Sequence, residues 1–187
     1  MTEQFSIRGM IALDWSAPTE FLLIITGTMG SGKTTVLGEA SDILALRNVP
    51  HAAIDLDALG LAHLPSAMKN DGVMYRNFRS LCENYAFEGV TRLLLARAIE
   101  DRNELEVCTG ISSAASTVVC RLTASPETIR QRLQRRELGV KHSEYIDRSV
   151  ALNAILDTTQ LADFAVSTEN RSPTDVANEM LSKAGWI

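Results

Sequence analysis

From Phe21 onward, apolar residues alternate between short unbroken runs and longer stretches with helical spacing. The run Phe21-Leu22-Leu23-Ile24-Ile25 has the continuous apolarity of a parallel strand buried on both faces. Val36, Leu37, Ala40, Ile43 and Leu44 then recur at helix spacing, and Asn48 and Pro50 close that segment. The pattern next predicts a strand over 49–54, ending at Asp55-Leu56-Asp57. Leu59 to Asp71 reads as irregular, with Pro65 and Gly72 as breakers, before a helix from about Val73 to Glu88. A third strand over 91–96, a small helix over 101–107 and a fourth strand over 117–123 follow. Ser125 as N-cap and Pro126 as first helical residue open another helix, and a further one spans 145–158. Phe164-Ala165-Val166-Ser167 forms a fifth strand, and Ser172-Pro173 starts a last helix in which Ser172 and Asp175 make a capping pair.

Such strand–helix alternation implies an α/β domain: a parallel sheet covered by helices on both faces. Residues 1–20 are weakly patterned and read as an N-terminal extension or edge element, with one domain over 21–187. A chain of 187 residues is long enough to bury a substantial core. The net charge of -5 argues against a nucleic-acid partner. No apolar run reaches the roughly 20 residues of a membrane span, and no secretory signal is visible. Cys82, Cys108 and Cys120 suit neither a zinc site nor a disulfide framework. They fit a reducing cytoplasm and read as small buried hydrophobes.

Between the first strand and the first helix lies Gly27-Thr28-Met29-Gly30-Ser31-Gly32-Lys33-Thr34, which fits G-x-x-x-x-G-K-[ST]. A triphosphate is bulky and strongly anionic, so a backbone must wrap it with N–H groups pointing inward. Glycines permit that approach, and the helix opening near Lys33 offers unsatisfied N–H groups and the positive end of its dipole. Lys33 can reach the outer phosphates, and the Thr34 hydroxyl can serve Mg²⁺. The candidate nucleotide-binding residues are therefore Gly27, Thr28, Met29, Gly30, Ser31, Gly32, Lys33, Thr34 and Thr35.

Asp55 and Asp57 fall just past the second strand, at the sheet edge that carries this loop. One carboxylate can hold the Mg²⁺ water shell and the other can orient an acceptor hydroxyl and take its proton. A capping role for either is the alternative. The third strand ends Leu95-Ala96-Arg97 without an acid, unlike motor-type ATPases, and no Asn-Lys-x-Asp motif reads guanine. Adenine is the expected base. Arg130, Arg132, Arg135 and Arg136 crowd one short helix, with Arg132 and Arg136 on a shared face. They can stabilise the migrating phosphoryl group or stack on adenine, or else pair with Glu127 and Glu137 at the surface. A mobile cover around 136–146, carrying Gly139, Lys141 and His142, would exclude water.

Three landmarks carry a resemblance to small P-loop kinases of the shikimate, gluconate and adenylylsulfate kinase group. They are the glycine-rich loop, Ile54-Asp55-Leu56-Asp57, and Ala124-Ser125-Pro126-Glu127-Thr128-Ile129-Arg130-Gln131-Arg132-Leu133-Gln134-Arg135-Arg136. The whole chain is also similar to actinobacterial P-loop proteins that carry an adenylylsulfate-kinase-like label, a label that does not fix the substrate. The resemblance implies a three-layer P-loop NTPase fold with a five-stranded parallel sheet in the order 2-3-1-4-5. It implies ATP with Mg²⁺ and transfer of the γ-phosphoryl group to a small-molecule acceptor. In shikimate-kinase-like proteins the first Asp of the pair serves the metal and the second the acceptor, which suggests Asp55 and Asp57 in those roles. Arginines matching Arg132 and Arg136 lie near the nucleotide in the gluconate-kinase-like pattern, and Ser167 to Ser172 holds the place that borders adenine. Where shikimate kinases carry a Gly-rich turn after the third strand, this chain has Arg97-Ala98-Ile99-Glu100. The expected function is thus an ATP-dependent phosphotransferase with Lys33, Asp57, Arg132 and Arg136 as catalytic residues and Thr34 and Asp55 at the metal. An ATP-binding regulatory protein or a slow NTPase is the alternative.

Overall fold

The computed structural model describes residues 19–63, 70–136 and 142–187. Five parallel strands form one sheet: β1 (Phe21–Thr26), β2 (Ala52–Asp55), β3 (Arg92–Ala96), β4 (Ser116–Thr123) and β5 (Phe164–Ser167). Their order is β2-β3-β1-β4-β5, the order that the family resemblance implies. The connecting helices are α1 (Lys33–Leu46), α2 (Asn70–Phe87), α3 (Arg102–Ser112), α4 (Pro126–Arg136), α5 (His142–Thr159) and α6 (Pro173–Lys183).

β1 explains why the sheet is covered twice. Its side chains alternate between faces, as strand geometry requires. Leu23 and Ile25 join Val36, Leu37, Ala40 and Leu44 of α1 and Val176, Met180 and Leu181 of α6. Leu22 and Ile24 join Met74, Phe78 and Cys82 of α2 and Cys108 of α3. A strand with both neighbours and both faces occupied favours apolar side chains, hence the unbroken run from Phe21 to Ile25; Thr26, at its end, is buried with its hydroxyl accepting from Ile99 N at 3.0 Å.

Register then assembles the site. Ile25 is level with Ala96 of β3, and Ala96 is level with Asp55 of β2. On the other side Thr26 pairs with Arg121, and Thr123 of β4 with Ser167 of β5. The loops after β1, β2, β3 and β5 therefore leave the sheet at one edge.

Most expected elements appear within a few residues of their predicted bounds. Gly72 is a correction: it lies inside α2, which starts at Asn70, three residues before the expected start at Val73. Glycine keeps its N–H and costs about 1 kcal/mol of backbone entropy in a helix interior, and less of the helix depends on a residue in its first turn. The caps behave as expected. The Ser125 hydroxyl accepts from Thr128 N at 3.2 Å, and that of Ser172 accepts from Asp175 N at 3.1 Å. Residues 1–18 and 137–141 are outside the described residues, as is most of the segment containing Pro65, so the extension and the cover expected there remain sequence readings. Among the described residues no helix is long and apolar enough to cross a membrane.

Candidate nucleotide and acceptor site

The loop between β1 and α1 is shaped by its glycines. Gly27 takes φ +147, and a Cβ there would sit 2.6 Å from Ser31 Oγ and 2.7 Å from the Leu122 carbonyl oxygen. Gly32, at φ +100 and ψ 14, is the residue from which α1 starts. Lys33 lies back along the loop, its Nζ donating to Gly27 O at 2.9 Å and Thr28 O at 3.1 Å. Ser31 Oγ is wholly buried without a hydrogen-bond partner in the structure. A buried hydroxyl left without a partner in a glycine-rich loop at a helix N-terminus, with a lysine beside it, fits a polyphosphate.

Thr28 does something the sequence did not indicate. Its hydroxyl donates to Ser149 O of α5 at 2.7 Å, and Ser149 Oγ donates to Met29 O at 3.3 Å. The Thr28 side chain thus ties the loop to α5, leaving its backbone to the cradle. Met29, Gly30, Gly32, Lys33, Thr34 and Thr35 line one cavity of about 410 Å³ together with Asp55 and Asp57. The Thr34 hydroxyl donates to Asp55 Oδ2 at 2.7 Å. A hydroxyl and a carboxylate already touching at the mouth of the loop form an oxygen-only donor set, the kind Mg²⁺ takes.

Asp57 starts a short 3₁₀ turn, Asp57–Gly60, that Asn77 of α2 holds by donating to Leu59 O at 2.8 Å. Its Oδ1 accepts from Arg97 Nη1, and Arg97 Nε donates to Glu104 Oε1 at 2.7 Å. Burial alone would lower the proton affinity of the Arg97 guanidinium; Glu104 and then Asp57 outweigh it and hold it above its ordinary range. From the sequence, Arg97 stood out as the absence of an acid at the strand end and as a departure from the Gly-rich turn of shikimate kinases, not as a partner of Asp57. A charged residue at the tip of a buried central strand was the available signal.

A second cavity, of about 300 Å³, opens on the other side of the loop, where Gly30, Gly32 and Thr35 meet Arg132, Thr168, Arg171 and Pro173. Arg132 is clamped there: Nη1 donates to Thr168 Oγ1 and Nη2 to Thr168 O, both at 2.8 Å, and Nη1 also reaches Gly30 O at 3.3 Å. The structure therefore sets Arg132 in this second cavity and not among the residues around Asp57. Glu169 secures the same region, accepting from Ser125 N at 2.8 Å and from Thr128 Oγ1 at 2.5 Å. These hydrogen bonds, the one from Thr128 foremost, hold the Glu169 carboxyl below the usual range. Of the other arginines, Arg130 pairs with Glu127 at 3.3 Å on the surface of α4. Arg136 ends α4, and its side chain lies outside the described residues.

The fold, with its sheet order, is shared with solved structures. A tunicamycin resistance protein from Deinococcus radiodurans matches at TM-score 0.62 and 18% identity, over 90% of this chain and 97% of that one. The chain has the fold of the P-loop small-molecule kinases. A sugar kinase from a Janibacter species matches at TM-score 0.60 and 18% identity, over 90% and 95% of the two chains. Shikimate kinase from Acinetobacter baumannii, solved with shikimate, matches at TM-score 0.58 and 17% identity, over 91% and 94%. No protein-family model matches the chain, and no curated protein does. At these identities the P-loop kinase fold is what the likeness establishes, and the reaction has to be argued from the site.

Proposed function

We propose that the chain is an ATP-dependent phosphotransferase that moves the γ-phosphoryl group to a hydroxyl of a small molecule. The observation that carries this reading is the single cavity in which Lys33, Thr34, Asp55 and Asp57 converge. The loop amides and Lys33 bind the phosphates. Thr34 and Asp55 would hold Mg²⁺, which when bound supplies positive charge against the phosphate oxygens. Asp57 orients the acceptor hydroxyl and accepts its proton as the acceptor oxygen bonds to phosphorus and the bond to the β–γ bridging oxygen breaks, releasing ADP. Arg132 flanks the second cavity, where a planar guanidinium beside Pro173 suits an adenine ring. Arg136 would meet the migrating phosphoryl group from the end of α4. Two of the similar structures are a sugar kinase and shikimate kinase, which favours a small acceptor. The buried, unpaired cysteines suit a reducing cytoplasm.

The test is ADP release with Mg²⁺ and ATP, across sugars, polyols, nucleosides, antibiotics, shikimate and gluconate, beside a Lys33→Ala control. Acceptor-stimulated release that the control abolishes, with its fold intact, is expected. Nucleotide binding without stimulation by any acceptor would instead favour a nucleotide-responsive regulatory protein, and release insensitive to acceptors a slow NTPase.

A further inference from the structure

The end of β3 does more than fill the place of a glycine turn. Arg97 spans two carboxylates, donating through Nη1 to Asp57 Oδ1 and through Nε to Glu104 Oε1. Glu104 is itself fixed. Its Oε2 accepts from Glu100 N at 2.9 Å, and Tyr75 OH of α2 donates to its Oε1 at 3.3 Å. Burial, followed by the Glu104 carboxylate, pushes the Tyr75 hydroxyl above its ordinary range, so Tyr75 stays a donor. Exposure rises along this chain of contacts: the side chains of Glu104, Arg97 and Asp57 are 12%, 19% and 55% exposed. The sequence of groups runs from a buried anchor to a solvent-facing carboxylate.

We infer that Arg97 is a positioning residue for Asp57, held from behind by Glu104, and this rests on the phosphotransferase reading of the same site. Asp57 sits on a short turn with most of its side chain in solvent, where a carboxylate otherwise samples several rotamers. The Arg97 contact takes up Oδ1 and leaves Oδ2 for the acceptor hydroxyl. Because the guanidinium is planar, fixing its Nε edge on Glu104 also fixes the direction of its Nη1 donor. Orientation of this kind lowers the barrier without strengthening acceptor binding, so its loss reads out in turnover. With a carboxylate on each edge, the charge of Arg97 is directed at the protein and not at an anionic substrate.

The experiment uses the full chain and whichever of the panel acceptors stimulates ADP release. Arg97→Met is expected to lower kcat by about tenfold to a hundredfold, with acceptor KM and the calorimetric Kd for ATP with Mg²⁺ essentially unchanged. Arg97→Lys should recover part of the loss, and Glu104→Gln should show a smaller loss of the same kind. If Arg97→Met does not fold, the lysine and Glu104 variants carry the same kcat-against-KM comparison. Unaltered kcat overturns the inference while the kinase reading stands. A loss confined to KM, and only for shikimate or gluconate, makes Arg97 an anion-recognition residue and also overturns it. If no acceptor stimulates the unaltered protein, the kinase reading fails and this inference falls with it.

Discussion

Gly27→Ala tests the geometry of the phosphate loop most directly. The new methyl would meet Ser31 Oγ at 2.6 Å and the Leu122 carbonyl oxygen at 2.7 Å. Ser31 is wholly buried, and Leu122 belongs to a strand paired on both sides, so neither can retreat cheaply. Overpacking of this sort costs about 1–3 kcal/mol, and a side chain held at a left-handed φ adds about 1–2 kcal/mol. The sum is roughly 2–5 kcal/mol. Gly32→Ala is the matched control: at φ +100 its Cβ meets nothing within 4 Å. It should cost only the conformational part, about 1–2 kcal/mol. For a chain of this size about 1 kcal/mol moves Tm by about 2–4 °C, so Gly27→Ala should melt roughly 4–20 °C lower and Gly32→Ala roughly 2–8 °C lower. Thermal melts followed by circular dichroism give both numbers. Calorimetric titration with ATP and Mg²⁺ should show the larger loss of affinity for Gly27→Ala, because relieving its clash displaces the amides. If the two variants melt together, or if Gly27→Ala binds nucleotide like the unaltered chain, the loop is not braced against β4 and the cradle argument fails.

Asp57→Asn should lower acceptor-stimulated turnover far more than ATP affinity; equal losses in both would remove its acceptor role. Thr28→Val deletes the hydroxyl that ties the loop to Ser149 of α5 and should cost about 1 kcal/mol in urea denaturation, whereas an unchanged midpoint would mean that the tie contributes nothing. Glu169→Gln tests linkage. The carboxyl of Glu169 lies below its ordinary 4.5 in the folded chain, so its ionised form stabilises the fold above that pH and the contribution fades as pH falls through the folded value. The variant should therefore melt lower than the unaltered chain at neutral pH, with the gap closing under acid. A gap independent of pH would contradict this.

Much of the scaffold was legible because local patterns are enforced by burial. The run at Phe21 has the apolarity of a strand buried on both faces, and the caps at Ser125 and Ser172 mark helix starts by chemistry that neighbouring residues supply. Gly72 misled because a glycine's cost depends on where in the helix it falls, which the pattern does not encode. That Lys33 and Thr34 share one cavity with Asp55 and Asp57 follows from two short motifs, each at the end of a strand on the same sheet edge.

The sequence by itself determined the glycine-rich loop, the acidic pair and the alternation that builds a parallel sheet. Only the tertiary structure decided that Arg97 spans Asp57 and Glu104, that Ser149 grips the loop, and that Arg132 is committed to Thr168. Those contacts join residues as many as 121 positions apart. They depend on strand order and register, which set which loop ends meet at the edge, and no short-range pattern of side chains records that.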